Sequence, residues 1–226
     1  MKEYQILKEK IASLVIFSLI GFAAMQMPIN SLMGANVKFT MFDLFAPVFG
    51  SFLGLWFGFA AVILAQIINA FATQVTINTA VLVRTITPLF AIWYFSRKDK
   101  SLLLVPFLAI LSFNFNPVGR SVWYFSLYWL IPVIAWRFRD RFLFAKALGS
   151  IFSAHAVGGA IWIWAFNLPA SVWQGLIPVV ALERSIMALG VCASYILMSN
   201  VLAYTKNKNI LKQTVIDKKY LLRFIR

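Results

Sequence analysis

Charge is what this chain has least of: 12% of its 226 residues are charged, against 62% that are hydrophobic and 16% aromatic. A soluble domain carries roughly 25% charged residues, so charge this sparse cannot cover a globular surface in water. The mean hydropathy of +0.82 agrees, and lipid is left as the solvent. Cysteine is nearly absent. Cys192 stands alone, which excludes an internal disulfide framework and any Cys-rich metal site. Histidine is equally scarce, and a single His155 gives no basis for a zinc or haem centre. Walker A, H-E-x-x-H and G-x-S-x-G patterns are missing, and the seven acidic residues do not cluster. Nothing in the sequence therefore points to catalysis, a metal or a cofactor.

The charge that is present is lopsided, 21 Lys and Arg against 7 Asp and Glu, for a net +14. It punctuates the chain into apolar runs. Twenty-seven uncharged residues separate Lys10 from Lys38, enough for one span of about 20 residues, placed at 11–33. A cleaved signal peptide is the rival for this run, but Gln26, Pro28 and Asn30 stand where a small-x-small site belongs. Forty uncharged residues separate Asp43 from Arg84. Further segments follow at 101–114, 121–136, 147–166 and 176–204. Basic residues concentrate at the N-terminus, 97–100, 137–146 and the tail from Lys206. Cytoplasmic loops carry the Lys/Arg excess, so all four belong on the cytoplasmic side. An odd number of segments must then lie between Leu44 and Ser96, and three fit: 44–57, 58–73 and 77–96. The fold class is all-α, a polytopic integral membrane bundle of six to eight segments with both termini cytoplasmic, in the cell membrane. Residues 1–205 form one transmembrane domain and 206–226 a basic cytoplasmic tail. The tail's composition suits a helix lying on an anionic leaflet; the basic excess is read as topology and lipid contact, with no nucleic-acid partner.

Ala46, Gly50, Gly54 and Gly58 recur every four residues. On one continuous helix over 44–72, about 43 Å long, they would form a small-residue stripe for close packing. The alternative is a bend near Gly54–Gly58, which the length favours.

Ionisable residues inside a membrane segment cost about 2.5–3.5 kcal/mol on insertion scales, so each needs a partner or a cavity. Arg84 and Glu183 each lie seven residues into a segment entering from outside, about 10 Å deep. Gln66, Asn69 and Asn78 reach the same depth band. Two readings stay open and are compatible: Arg84 and Glu183 staple two helices as an ion pair, or they contact a ligand. Arg184 points about 100° away from Glu183 around the helix, so one of the two is the inward member. His155, Gly158, Gly159 and Trp162 share a helical face, which reads either as packing or as a pocket wall. Asn114, Asn116, Arg120, Asn167, Trp173 and Gln174 make a polar and aromatic outer rim, where tryptophans usually anchor the interface.

The run Phe39-Thr40-Met41-Phe42-Asp43-Leu44-Phe45-Ala46-Pro47-Val48-Phe49-Gly50, with Gly54 and Gly58 after it, resembles the S components of energy-coupling factor transporters. So does Gly158-Gly159-Ala160-Ile161-Trp162 followed by Leu176-Ile177-Pro178 and Glu183. The likeness covers a minor part of the chain. It departs in the segment count, six in that family, and in the first helix, where Ala23 and Ala24 are adjacent and form no Ala-x-x-x-Ala stripe. The resemblance implies capture of a vitamin or related micronutrient from outside; in such a subunit the depth-band residues Arg84, Glu183, Gln66, Asn69 and Asn78 would define the pocket, with His155 and Trp162 as walls. The outer loop 31–43, with Lys38, Phe39 and Asp43, would act as a lid or gate. A membrane coupling subunit and two cytoplasmic ATPases are the implied partners. The alternatives are a self-sufficient secondary transporter or channel, or a non-transport integral membrane protein.

Overall fold

A computed structural model describes residues 2–31, 38–207, 211 and 213–222. It is 83% helical and all-α, with nine α-helices among the described residues. Helix α1 (Lys2–Met25) gives way to a two-stranded antiparallel hairpin, β1 (Pro28–Ser31) and β2 (Lys38–Thr40). The expected span over 11–33 therefore stops early. Pro28 cannot donate to a helical ladder, and the chain instead pairs Pro28 with Thr40 and Ser31 with Lys38. Residues 32–37 of the expected lid lie outside the described residues.

Residues 44–72 form two helices, α2 (Phe42–Leu53) and α3 (Leu55–Thr73), divided at Gly54. Gly54 has φ 84° and ψ 158°, a conformation that glycine reaches without a Cβ penalty. Reversal there lays α3 back on α2. A methyl at Gly58 would stand 2.5 Å from the Gly50 Cα, and one at Gly50 would overlap the Ser96 hydroxyl and Ile92. The stripe is thus a backbone-to-backbone contact within the protein, with its boundary at Gly54 rather than at 57/58. A left-handed Gln74 ends α3, and the Asn78 side chain accepts from the Val81 N–H to cap α4 (Thr79–Ser96).

A 3-10 turn (Lys100–Leu103) leads into α5 (Leu104–Phe115). After it come α6 (Pro117–Ser121), a 3-10 segment (Trp123–Leu130) and α7 (Ile131–Phe138). Two long helices follow, α8 (Leu143–Ala165) and α9 (Ala170–Asn207). Among the described residues four helices are long and apolar enough to cross a membrane: α3, α4, α8 and α9. Helices α2 and α5, at 12 residues each, extend only about 18 Å, and α1 carries charge from Lys2 to Lys10. Trp56, Phe71, Leu108 and Leu182 are more than 60% exposed. Apolar exposure on this scale suits contact with lipid.

Two aromatic-rich cores stabilise the bundle. One gathers Phe17, Phe49, Phe52, Phe95 and Tyr195 from α1, α2, α4 and α9. The other gathers Phe113, Phe125, Trp129, Phe152 and Trp173, with Phe113 edge-on to Trp129 and Trp173 at 5.2 and 5.1 Å. The four basic segments meet at one end. Lys98 pairs with Asp140, Lys219 donates to the Arg141 carbonyl, and Gln213 donates to Glu9. Arg139 turns inward from its cluster, donating to the Tyr94 carbonyl and stacking between Tyr94 and Trp136.

The tail also differs from the sequence expectation. Its described part holds a 3-10 turn (Lys218–Tyr220) and folds onto the bundle instead of forming a surface helix. The Val215 N–H donates to the Phe52 carbonyl at 2.9 Å, satisfying a group freed where α2 ends. Asn200 binds both the Tyr220 carbonyl and the Leu222 N–H. Lys212, Arg223, Ile225 and Arg226 lie outside the described residues.

Candidate functional site

At the end of the bundle opposite the basic segments, a cavity of about 330 Å³ lies between the two cores. The N-terminal half of α2, the middle of α4, the C-terminal half of α8 and the N-terminal half of α9 line it, and β2 crosses its rim with Phe39. The size falls at the lower end of small-molecule sites.

Asp43 sits in the first turn of α2, where a carboxylate is favoured by the helix dipole. It accepts from the Thr40 N–H at 2.8 Å and from Arg84 at 3.1 Å. Arg84 also donates to the Lys38 carbonyl. One guanidinium on α4 thereby ties β2 to α2. The Phe39 ring meets two cations, its centroid 5.5 Å from the Arg84 guanidinium carbon and 4.6 Å from that of Arg184. The hairpin is thus latched over the cavity by two hydrogen bonds, an ion pair and cation–π contacts.

His155, Gly158, Gly159 and Trp162 all line the cavity from α8, so their shared helical face is a cavity wall. The Trp129 indole N–H donates to His155 Nδ1 at 3.1 Å. An indole can only donate, so Nδ1 carries no proton and the neutral ring holds its N–H at Nε2. Gly159 makes room for this contact, because a methyl there would lie 2.5 Å from the Trp129 ring. At Gly158 a methyl would press on Thr87 at 3.3 Å.

Glu183 and Arg184 both line the cavity, against the expectation that only one would turn inward. The cavity runs along the seam that α9 makes with several elements, so a wide arc of the helix faces it, and long side chains extend that arc. Their closest approach is 3.8 Å, with side chains 14% and 11% exposed. The ion pair considered between Arg84 and Glu183 is replaced by Arg84 with Asp43. Asp43 wins because its helix start lies beside that of α4, while Glu183 lies beside Arg184 on α9.

Gln66, Asn69 and Asn78 share the depth band but lie outside the cavity lining. Gln66 donates to the Thr85 carbonyl at 3.4 Å, Asn69 accepts from Gln26 at 2.8 Å, and Asn78 caps α4. Gln66 and Asn69 brace α3 against α4 and against the turn after α1, while Asn78 only stops α4 from fraying. The rim behaves similarly. Asn116 caps α6, Asn114 bonds Ser126, and Arg120 reaches the Asn114 carbonyl. Trp173 is the exception, 2% exposed and on the cavity wall instead of at an interface. Thr87 and Phe125 were not singled out by sequence, while Trp173 was read as a rim residue and Arg184 as the alternative to Glu183. One signal was available: Trp173, Leu176, Val180, Arg184 and Met187 recur at helical spacing and all face the cavity. No group of three or more His, Cys, Asp or Glu able to hold a metal occurs among the described residues. No family model, curated protein or solved structure matches the chain.

Proposed function

We propose that this protein is the solute-binding membrane subunit of an uptake system, of the energy-coupling factor S-component type. The observation that carries this reading is the cavity itself. It lies at one end of an apolar bundle, combines aromatic walls with two Arg, Asp43 and Glu183, and is partly covered by a latched strand. The basic segments at the opposite end orient the cavity outward by the positive-inside rule, which makes β2 and Phe39 its outer cover. Six to eight traverses and a plasma-membrane location belong to the same reading. With no nucleotide motif in the sequence, release of the solute inward would draw on a membrane coupling subunit and cytoplasmic ATPases, supplied as partners. The solute is a small organic molecule, a vitamin or related micronutrient.

The test is purification of the full chain in detergent, then mass spectrometry of the small molecules released on denaturation. A single co-purified organic compound that raises the melting temperature when added back supports the reading. Proteoliposomes holding the chain alone should bind that compound but not accumulate it. Accumulation driven by an ion gradient would instead identify a secondary transporter.

A further inference from the structure

The hydrogen-bonding capacity around the cavity is unbalanced. Arg184 has five N–H donors, yet among the described residues it finds no oxygen at hydrogen-bonding distance. Its Nη1 meets the Met187 sulfur at 3.4 Å, its Nη2 is 3.8 Å from Glu183, and its Nε is buried without a partner. The Trp173 indole N–H, in the same wall, is likewise buried without an acceptor. His155 adds a third donor, since Trp129 occupies Nδ1 and leaves the N–H at Nε2. On the acceptor side, Asp43 already receives Thr40 and Arg84, and Glu183, which has partners of its own, balances the Arg184 charge from 3.8 Å without reaching hydrogen-bonding distance. A buried guanidinium without oxygen acceptors is costly, and the deficit is recovered when a bound molecule brings the acceptors. Planar oxygen pairs match the fork of Arg, whereas an ammonium brings only more donors. Phe39, Phe125, Trp162 and Trp173 supply flat aromatic walls.

We infer that the cavity takes a compact, flat molecule recognised through a planar oxygen-acceptor group, a carboxylate or a carboxamide, seated on the Arg184 guanidinium and the His155 Nε2–H. Ammonium compounds are rejected. This rests on the cavity being the solute site proposed above and adds the chemistry by which that solute is read.

The probes are benzoate, benzamide and benzylamine, one ring with three head groups. Each is titrated at millimolar concentration into the full chain in detergent, with melting temperature and calorimetric affinity as readouts. At least one of benzoate and benzamide should bind and benzylamine should not, and whichever acceptor binds more tightly assigns the carboxylate or the carboxamide. Arg184→Gln should weaken the acceptor probe by about ten- to a hundredfold, the value of charge-assisted hydrogen bonds. Arg184→Lys keeps the charge without the fork and should retain more affinity for benzoate than for benzamide. The ligand-free melting temperature of each variant separates lost binding from lost folding. Should Arg184→Gln fail to fold, the Lys variant decides. Benzylamine binding as tightly as the acceptors, unchanged affinity in folded Arg184 variants, or no binding by either acceptor overturns the inference. A co-purified cationic amine that re-binds would overturn this chemistry and leave the solute-binding reading standing. The absence of any co-purified or binding molecule would overturn that reading as well.

Discussion

Arg84 shows how one side chain can hold a rim closed. It donates to the Lys38 carbonyl and pairs with Asp43 at 3.1 Å, while Asp43 also receives the Thr40 N–H. Its side chain is 29% exposed, so solvent screens part of the attraction and the pair contributes only about 1 kcal/mol. Arg84→Ala should therefore melt the protein little but loosen β2. Hydrogen exchange at the Thr40 amide should accelerate, with the α9 amides unchanged; equal protection in the variant would mean that the latch lies elsewhere. Gly159 is a sharper case. A methyl there meets the Trp129 ring at 2.5 Å, so Gly159→Ala must displace the indole that fixes His155. The expected cost is about 1–3 kcal/mol from overpacking, seen as a lower melting temperature and a shifted Trp129 indole N–H resonance. An unmoved resonance would remove Gly159 from the account of His155.

At the scale of elements, Gly54 and Gly175 form a natural control. A methyl at either meets nothing within 4 Å, but Gly54 has φ 84° whereas Gly175 lies inside α9. Space is equal, so only backbone conformation distinguishes them. Gly54→Ala should cost about 1–3 kcal/mol of strain, and Gly175→Ala should be neutral or stabilise by up to about 1 kcal/mol through helix propensity. Thermal unfolding of both variants in the same detergent checks the pair, and equal melting temperatures would contradict the assigned turn. The sequence arithmetic came close to this element. Forty uncharged residues and the basic clusters flanking them already called for three segments between Leu44 and Ser96, while the four-residue glycine spacing suggested one continuous helix. The Gly54 break could not be located from them, because a small-residue stripe is the same string whether it packs on another helix or doubles back on itself. The tail was misread for a related reason. Its alternating basic and apolar residues describe a surface helix as well as a strap, and the Phe52 carbonyl and Asn200 amide that pin it lie far away in sequence.

Over the whole molecule the basic segments converge on one end and the cavity occupies the other. Under the positive-inside reading, single cysteines placed at Asp99 or Asp140, in a Cys192→Ser background, should react with an impermeant maleimide only from the cytoplasmic side. A cysteine at Asn167 should react only from outside, and the opposite pattern would invert the orientation. Composition by itself pointed to lipid as the solvent, because too few charges exist to cover a surface, and the length of the apolar runs pointed to helices, which alone pair an unbroken run's backbone within itself in hydrocarbon. Charge spacing determined where the apolar segments lie, and local periodicity put His155, Gly158, Gly159 and Trp162 on one face. Which polar residues would meet was decided only in three dimensions. Arg84, Glu183, Gln66, Asn69 and Asn78 share a depth, but depth is one coordinate. Rotation and neighbour choice, set by the packing of the two aromatic cores, sent Gln66 and Asn69 to bracing contacts and Asn78 to a helix cap, and brought Asp43 and Arg184 to the cavity. The scarcity of charge marked which residues to ask about, and the packing decided which of them share a site.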